Sequence, residues 1–236
     1  MGIVSKLFHA LFNNLRQNKT NPLTGDSLKQ VLVSAMYAEQ QSAYLNSYET
    51  GIAAADGKKI LQEYWAIYDK ADAEDTLSYL LHEGHSYYFE PIYKALTTEK
   101  GNYAAYLESA FPPEELEKAV NLFRGLRSNI DSLINDKVIS RIEDLQVYKV
   151  HGWDYGRLSF MTRLCYEHNL ISEHVMKQFL RDGLEGTKRA YTNWTDFSKG
   201  YIIGRAMWGG DNNSGMTSIA QSLLTNKKSP WVNHPL

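Results

Sequence analysis

The stretch that follows Pro112-Pro113 constrains the fold more than any other part of the chain. A proline at the first helical position is favourable, and Glu114 and Glu115 suit the positive end of a helix. Seven apolar residues then recur at helical spacing over about five turns: Leu116, Ala119, Val120, Phe123, Leu126, Ile130 and Leu133. The pattern predicts a long amphipathic helix whose apolar face must be covered by other helices.

The rest of the chain shows the same periodicity, and no alternating apolar and polar segment outcompetes it. We therefore predict an all-α protein. Its 236 residues suit a single compact multi-helix domain of about eight to ten helices, with a central glycine-containing helix near the C-terminus. Within it we expect an N-terminal helical extension (1–55), a main core (56–210) and a C-terminal helix and tail (211–236). Further helices are predicted at 28–35, 58–68, 72–84, 86–96, 137–148, 152–169, 172–191, 194–208 and 215–225.

The charge balance argues against two classes of partner. The 25 basic and 27 acidic side chains leave a formal net charge of −2, which provides no general field for a nucleic acid backbone. No apolar run approaches the roughly 20 residues of a membrane span. The single cysteine, Cys165, excludes an internal disulfide and fits a reducing compartment, so a cytoplasmic protein is expected.

Apolar residues also recur at helical spacing before Asn18: Ile3, Val4, Leu7, Phe8, Leu11, Phe12 and Leu15. Polar residues interrupt this run too often for a signal peptide. One interpretation is an amphipathic helix packed on the body of the protein. Another is a helix that lies on a membrane surface, because Lys6, Arg16 and Lys19 meet no acidic residue before Asp26. A mobile arm is the third.

Known catalytic and metal-binding patterns do not fit this chain. His82-Glu83-Gly84-His85 places its histidines three residues apart, whereas the metalloprotease helix needs a spacing of about four. Cys165 alone cannot build a thiolate zinc site and is expected in the core. We therefore predict no catalytic residue, no metal site and no cofactor. His85 is expected to cap a helix or to form a hydrogen bond at a helix break.

Two arginines fall inside apolar stripes and are expected in the interior. Arg157 shares a helix face with Trp153 and Phe160, and Arg205 shares one with Trp208. A buried guanidinium needs a carboxylate partner, because an unpaired internal charge costs several kcal/mol. The nearest candidate partners by pattern are Asp154, Asp69 and Asp75.

Three interpretations of these arginines are open. The first is a buried ion-pair network that fixes the order of the helices. The second is a cleft that holds an anionic group, phosphate or carboxylate, in the bidentate manner that arginine favours. The third is that one arginine extends to solvent. The residues of the network or cleft would be Trp153, Asp154, Arg157, Tyr201, Arg205 and Trp208, with Asp69 and His85 as acid–base groups.

Gly200 and Gly204 are one helical turn apart, although each glycine costs a helix about 1 kcal/mol relative to alanine. Close approach of another helix would compensate. We predict that this neighbour is the helix that begins near Trp153, with Phe160 and Leu164 filling the groove between the two glycines.

The same regions resemble a known bacterial family. Gly152-Trp153-Asp154-Tyr155-Gly156-Arg157 is similar to the family's Ala-Trp-Asp-x-Gly-Arg signature, and Tyr201-Ile202-Ile203-Gly204-Arg205-Ala206-Met207-Trp208 to its Tyr-x-x-Gly-Arg-x-x-Trp ending. Upstream, Tyr64-Trp65-Ala66-Ile67-Tyr68-Asp69 and Leu80-Leu81-His82-Glu83-Gly84-His85 are similar to its Trp-Gly-Ile-x-Asp and Gly-His elements. The chain therefore resembles the YbeR/YbeU-like domain of unknown function, DUF1266.

The resemblance departs from the family pattern at two positions: Gly152 replaces an alanine, and Ala66 replaces a glycine. It implies an α-helical fold and points to Asp154, Arg157 and Arg205. It implies no reaction.

Two functions remain open. The first is a non-catalytic bacterial protein that binds another protein, as an accessory or immunity-type partner, because aromatic residues favour interfaces. The tyrosines expected to be exposed are Tyr37, Tyr44, Tyr48, Tyr87, Tyr88, Tyr93, Tyr103 and Tyr106. The alternative is an enzyme or small-ligand binder that uses the arginine and aspartate cleft.

Overall fold

A computed structural model describes residues 15–211 and 213–236. Residues 1–14, which carry most of the predicted N-terminal stripe, lie outside the described residues. The described chain is helical and contains no strand, so the predicted all-α class and single compact domain are confirmed. Within the same residues, no helix is both long and apolar enough to cross a membrane.

The α-helices are α1 (Gly25–Leu32), α2 (Ala35–Gln40), α3 (Ala54–Lys59), α4 (Lys70–His82), α5 (Ser86–Thr97), α6 (Tyr103–Ala110), α7 (Pro113–Asn135), α8 (Asp144–Tyr148), α9 (His151–Glu167), α10 (Glu173–Ala190), α11 (Trp194–Met207), α12 (Asn213–Thr225) and α13 (Pro230–Asn233). A π-helical turn, Ile60–Tyr64, continues α3. The described residues hold more helices than the eight to ten expected. Short helices such as α2 and α8 lack the length that a periodic pattern needs.

The structure corrects one predicted helix and adds two local details. Asp69 caps α4, because its carboxylate accepts the Asp72 N–H at 3.0 Å. The helix predicted at 137–148 is reduced to α8, since Lys137 adopts a left-handed φ of 59° and breaks the chain direction. Helix α5 runs through Pro91 without a break.

Helices α9 and α11 form the centre of the core. Helix α9 packs against α11, α10, α4, α2 and α1, and residues 156–165 are buried on every side. Helix α11 also packs against α7, α8 and α12. The glycine-containing helix is therefore central, as predicted, but it shares that position with α9.

Glycines allow α9 and α11 to approach closely. A Cβ at Gly152 would lie 2.8 Å from the Tyr201 amide nitrogen, and one at Gly204 would collide with the Trp153 side chain. The predicted close packing of these helices is therefore present. The predicted groove filler is wrong, because Trp153, and not Phe160, occupies the space beside Gly204.

The N-terminal segment is tied to the middle of α9 by Arg163, which is fully buried. Its Nη1 donates to Ser34 Oγ at 2.9 Å. Its Nη2 donates to the carbonyl oxygens of Tyr44 at 2.7 Å and Glu49 at 2.9 Å. Segment 16–51 is therefore part of the same core, and no feature of the sequence pattern had singled out Arg163.

Candidate functional site

Asp154 lies at the start of α9 and caps the N-terminus of α5. Its Oδ1 accepts the backbone N–H of His85, and its Oδ2 accepts that of Ser86, each at 2.9 Å. Gly84 permits this approach, because its φ is +56° and a Cβ there would collide with the carboxylate. A negative group at a helix N-terminus satisfies amides that have no partner within the helix. The Gly-His element and the Trp-Asp element thus meet in one contact.

Arg157 completes this cluster one turn further along α9. Its Nη2 donates to Asp154 Oδ1 at 2.7 Å, so of the three candidate carboxylates it is Asp154 that pairs with Arg157. The guanidinium lies 4.5 Å from the ring centre of Trp153 and 5.6 Å from that of Trp65. These contacts leave Arg157 almost fully buried. Its charge is therefore already neutralised by a carboxylate and covered by aromatic rings.

The contact with Arg157 also sets the protonation of His85. Arg157 Nη2 lies 3.0 Å from His85 Nδ1. Because a guanidinium can only donate, Nδ1 accepts and the ring proton belongs on Nε2. Burial, together with the charges of Arg157 and Lys118, lowers the pKa of His85 from 6.5 to about 2. His85 is therefore a neutral side chain with a fixed Nε2–H donor.

A cavity of ≈ 490 Å³ opens beside His85, and ligand pockets typically have volumes of roughly 300–1,000 Å³. We call it the Trp208 cleft. Its lining residues come from α4, α7, the start of α5 and the end of α11: Tyr79, His85, Glu114, Glu117, Lys118, Asn121, Leu122 and Trp208. Lys118 donates to the Tyr79 hydroxyl at 2.9 Å, and Trp208 packs on Trp153 with ring centres 6.2 Å apart. The signature residues therefore form one wall of an open cleft.

The structure does not bring Arg205 or Asp69 into this cluster. Arg205 packs against Gly210 and makes no ion pair with a carboxylate in the described part of the chain. Asp69 caps the opposite end of α4, about 20 Å along that helix from the residues that contact Asp154. Asp75 is exposed on α4 and meets neither arginine. No contact in the described residues joins Arg205 to Arg157, so a cleft shared by the two arginines stays a prediction.

The expected surface of tyrosines is also largely absent. Of the eight named above, Tyr87 is half-exposed, Tyr88 is buried, and the others are partly covered. The most exposed aromatic side chains of the described residues are instead Tyr64, Tyr68 and Trp208. Periodicity could not separate them, because the helices of this core bury tyrosines by packing them on cations such as Lys118 and Arg16.

Burial also decides the chemistry of the single cysteine. The Cys165 thiol is buried, and its pKa is raised to about 12, so it holds its proton at neutral pH. Among the described residues, no three histidine, cysteine, aspartate or glutamate side chains lie close enough together to hold a metal ion.

The chain belongs to the family described as proteins of unknown function, DUF1266, whose model matches residues 60–236. Comparison with curated proteins and with solved structures gives no match. The matched region begins after α3, so it contains the Trp208 cleft and leaves out segment 16–51, which Arg163 holds. The structure gives the signatures a physical meaning, since Gly84, His85, Trp153, Asp154 and Arg157 contact one another.

Proposed function

We propose that this protein is a non-catalytic bacterial protein that binds another protein on the surface around the Trp208 cleft. The observation that supports this most is Trp208 itself. Its side chain is 61% exposed, although it follows a helix that is buried almost throughout. Trp153 packs against it from beneath. A large aromatic ring that is held in place buries much area at little cost in entropy, which is typical of binding hot spots.

A second exposed aromatic side chain is linked to the cleft through Tyr88 and Lys118. Tyr87 is 50% exposed and packs on Tyr88, with ring centres 4.9 Å apart. Lys118 lies over the Tyr88 ring at 4.8 Å and lines the cleft. The surface around the cleft therefore carries a second exposed aromatic side chain, and aromatic residues are enriched at protein interfaces.

The state of the buried groups favours binding over catalysis. A general base works best with a pKa near the working pH. The pKa of His85 is far below that range, and Asp154 is committed to Arg157 and to the amides of α5. We infer that this cluster shapes and supports the surface. The buried thiol of Cys165 suits a reducing environment, so we place the protein in the bacterial cytoplasm, as an accessory or immunity-type partner.

Affinity capture with two matched variants tests the proposal. Tagged wild-type protein, Trp208→Ala and Tyr68→Ala are expressed in the source organism, and captured proteins are quantified by mass spectrometry. Tyr68 is 63% exposed and does not line the cleft, so it controls for the loss of an exposed ring. We expect a partner that wild type and Tyr68→Ala retain and Trp208→Ala loses. Equal recovery by all three proteins, or no enriched protein, contradicts the proposal.

Small-ligand binding is the second candidate function. It is favoured by two buried donors beside the cleft, His85 Nε2–H and Trp153 Nε1–H, that have no hydrogen-bond acceptor among the described residues. A buried donor without a partner costs about 1–3 kcal/mol, which a bound acceptor would recover.

A further inference from the structure

We propose that the Trp208 cleft binds a carboxylate carried on a flat apolar group, with His85 Nε2–H and the Lys118 ammonium as its donors. The inference rests on the second candidate function, ligand binding, and does not require that a protein dock on the same surface. It names the ligand class and the atoms that recognise it.

One buried donor beside the cleft, His85 Nε2–H, has no acceptor among the described residues. His85 is 5% exposed and lines the cleft, and its Nδ1 is turned towards Arg157. The opposite ring nitrogen, Nε2, carries the proton, and no acceptor in residues 15–211 or 213–236 receives it. An arginine that always donates keeps His85 from changing tautomer. This nitrogen is buried in a residue that lines the cleft, and an acceptor atom from a ligand that reached it would satisfy it.

The surrounding groups make that acceptor an anion. Lys118 lines the same cleft, and its positive charge acts on His85. A second donor, Trp153 Nε1–H, belongs to a ring that lies 6.4 Å from His85 and 6.2 Å from Trp208, measured between ring centres. Like His85, it has no acceptor in the described chain. Lys118 is the charged donor that lines the cleft, and it favours a negatively charged oxygen, since charge-assisted hydrogen bonds are the stronger ones.

Two acidic residues limit the charge of the ligand. Glu114 and Glu117 also line the cleft, and both are exposed on α7. Their repulsion is partly screened by water and salt. Glu114 and Glu117 outweigh the single Lys118 ammonium by one charge. The resulting net repulsion is twice as strong for a dianion as for a monoanion, so the lining disfavours a phosphate monoester relative to a carboxylate.

The remaining walls suit the body of the ligand. Trp208 offers an exposed aromatic face, and Leu122 is almost fully buried at the base. The cleft volume of ≈ 490 Å³ accommodates a ring as well as a carboxylate. A flat ring would stack on Trp208 while its carboxylate meets His85 and Lys118.

Titration of the ¹⁵N-labelled full chain with benzoate, followed by NMR, tests the proposal. The readouts are the His85 imidazole Nε2–H and the Trp208 indole N–H. Benzamide, which has the same ring without the charge, is the matched neutral probe. We expect benzoate to shift both signals at millimolar concentration, with benzamide at least about tenfold weaker.

Two lysine variants test whether the Lys118 ammonium binds the carboxylate of benzoate. Lys118→Gln removes an ammonium that donates to Tyr79, and Lys199→Gln removes one that donates to Tyr148 in the same manner, each at 2.9 Å. We expect Lys118→Gln to weaken benzoate binding about tenfold or more and Lys199→Gln to leave it unchanged. Absence of benzoate shifts, or equal loss in both variants, overturns the proposal. If benzamide binds as well as benzoate, the carboxylate assignment fails, although ligand binding by the cleft would stand.

Discussion

Arg157 and Arg163 lie less than two turns apart on α9, and the protein stabilises their buried charges in different ways. Arg157 has a carboxylate partner, Asp154, and two aromatic rings. Arg163 has no carboxylate in direct contact within the described residues, and its donors end on the hydroxyl of Ser34 and on backbone carbonyls. Burial lowers the pKa of Arg163 to about 10, which still leaves it charged at neutral pH.

This difference distinguishes a cluster that borders a binding surface, at Arg157, from purely structural contacts, at Arg163. The Arg157 cluster ends at an open cleft. Its member His85 lines that cleft, and the His85 Nε2–H has no acceptor among the described residues. The Arg163 contacts are closed, since each donating nitrogen finds an oxygen of segment 16–51. One arginine thus supports a surface that can bind, and the other holds the N-terminal segment on the core.

Replacing Asp154 should have the largest effect on stability. Asp154→Ala leaves the buried Arg157 charge without a carboxylate and the α5 amides without a cap, so we expect a loss of about 3–5 kcal/mol in the free energy of unfolding. Chemical denaturation measures it. Asp69→Ala is the control, because Asp69 also caps a helix but is exposed, and its loss should cost about 1 kcal/mol. Equal effects of the two variants would show that the Asp154–Arg157 pair adds nothing.

Replacing Arg163 should act more locally. Arg163→Met keeps much of the side-chain volume but leaves the carbonyls of Tyr44 and Glu49 without a donor. The expected cost is about 2–3 kcal/mol, since part of the loss is offset by no longer burying a charge. Hydrogen exchange should become faster in residues 16–51 and stay unchanged around His85. Arg181→Met, at an exposed position on α10, is the control. Uniformly faster exchange would contradict the distinction between the two arginines.

Acidification should destabilise the protein through His85. Its pKa is about 2 in the folded state and 6.5 when unfolded, so the unfolded chain takes up the proton first. The stability from neutral His85 is complete above pH 6.5 and is lost as the pH falls towards 2. Relative to His85→Asn, which retains an acceptor for Arg157, wild type should lose about 1.4 kcal/mol per pH unit below that point.

The difference between the stability curves of wild type and His85→Asn cancels the contributions of groups that titrate alike in both proteins. Glu39 has a pKa raised to about 7 by burial, and its contribution falls as the pH rises from 4.5 to 7, in both proteins alike. Parallel stability curves for wild type and His85→Asn would contradict the shifted pKa of His85.

The smallest effect is expected at Ala66, outside both clusters. Its φ of +53° is left-handed, where alanine is strained and glycine is not. Ala66→Gly should therefore stabilise the protein by up to about 1 kcal/mol, measured by thermal unfolding. Ala105→Gly, in the exposed face of α6, should destabilise it by about 0.5–1 kcal/mol. The same sign for both variants would rule out relief of backbone strain.

The sequence made one of the two arginine clusters predictable. Asp154 and Arg157 are three residues apart on one helix, so their pairing follows from helical spacing. The partners of Arg163 are more than 100 residues away, and apart from the Ser34 hydroxyl they are backbone carbonyls, which every residue possesses, so no pattern of side chains reveals them. Lys118 was missed because it lies on the polar face of α7, and only the packing of α4 and α11 turns that face into a cleft. The fold class was predictable because a period of 3.6 residues is a local property.

The central claim is that burial and the Arg157 charge hold His85 neutral, with its proton on Nε2 beside the Trp208 cleft. A long-range ¹H–¹⁵N NMR spectrum of the imidazole groups at about pH 5, where an unperturbed histidine is protonated, tests it most directly. Comparison with His85→Asn assigns the signal among the 7 histidines. We expect His85 to show the neutral Nε2–H tautomer at this pH. A protonated ring, or a proton on Nδ1, would contradict the claim.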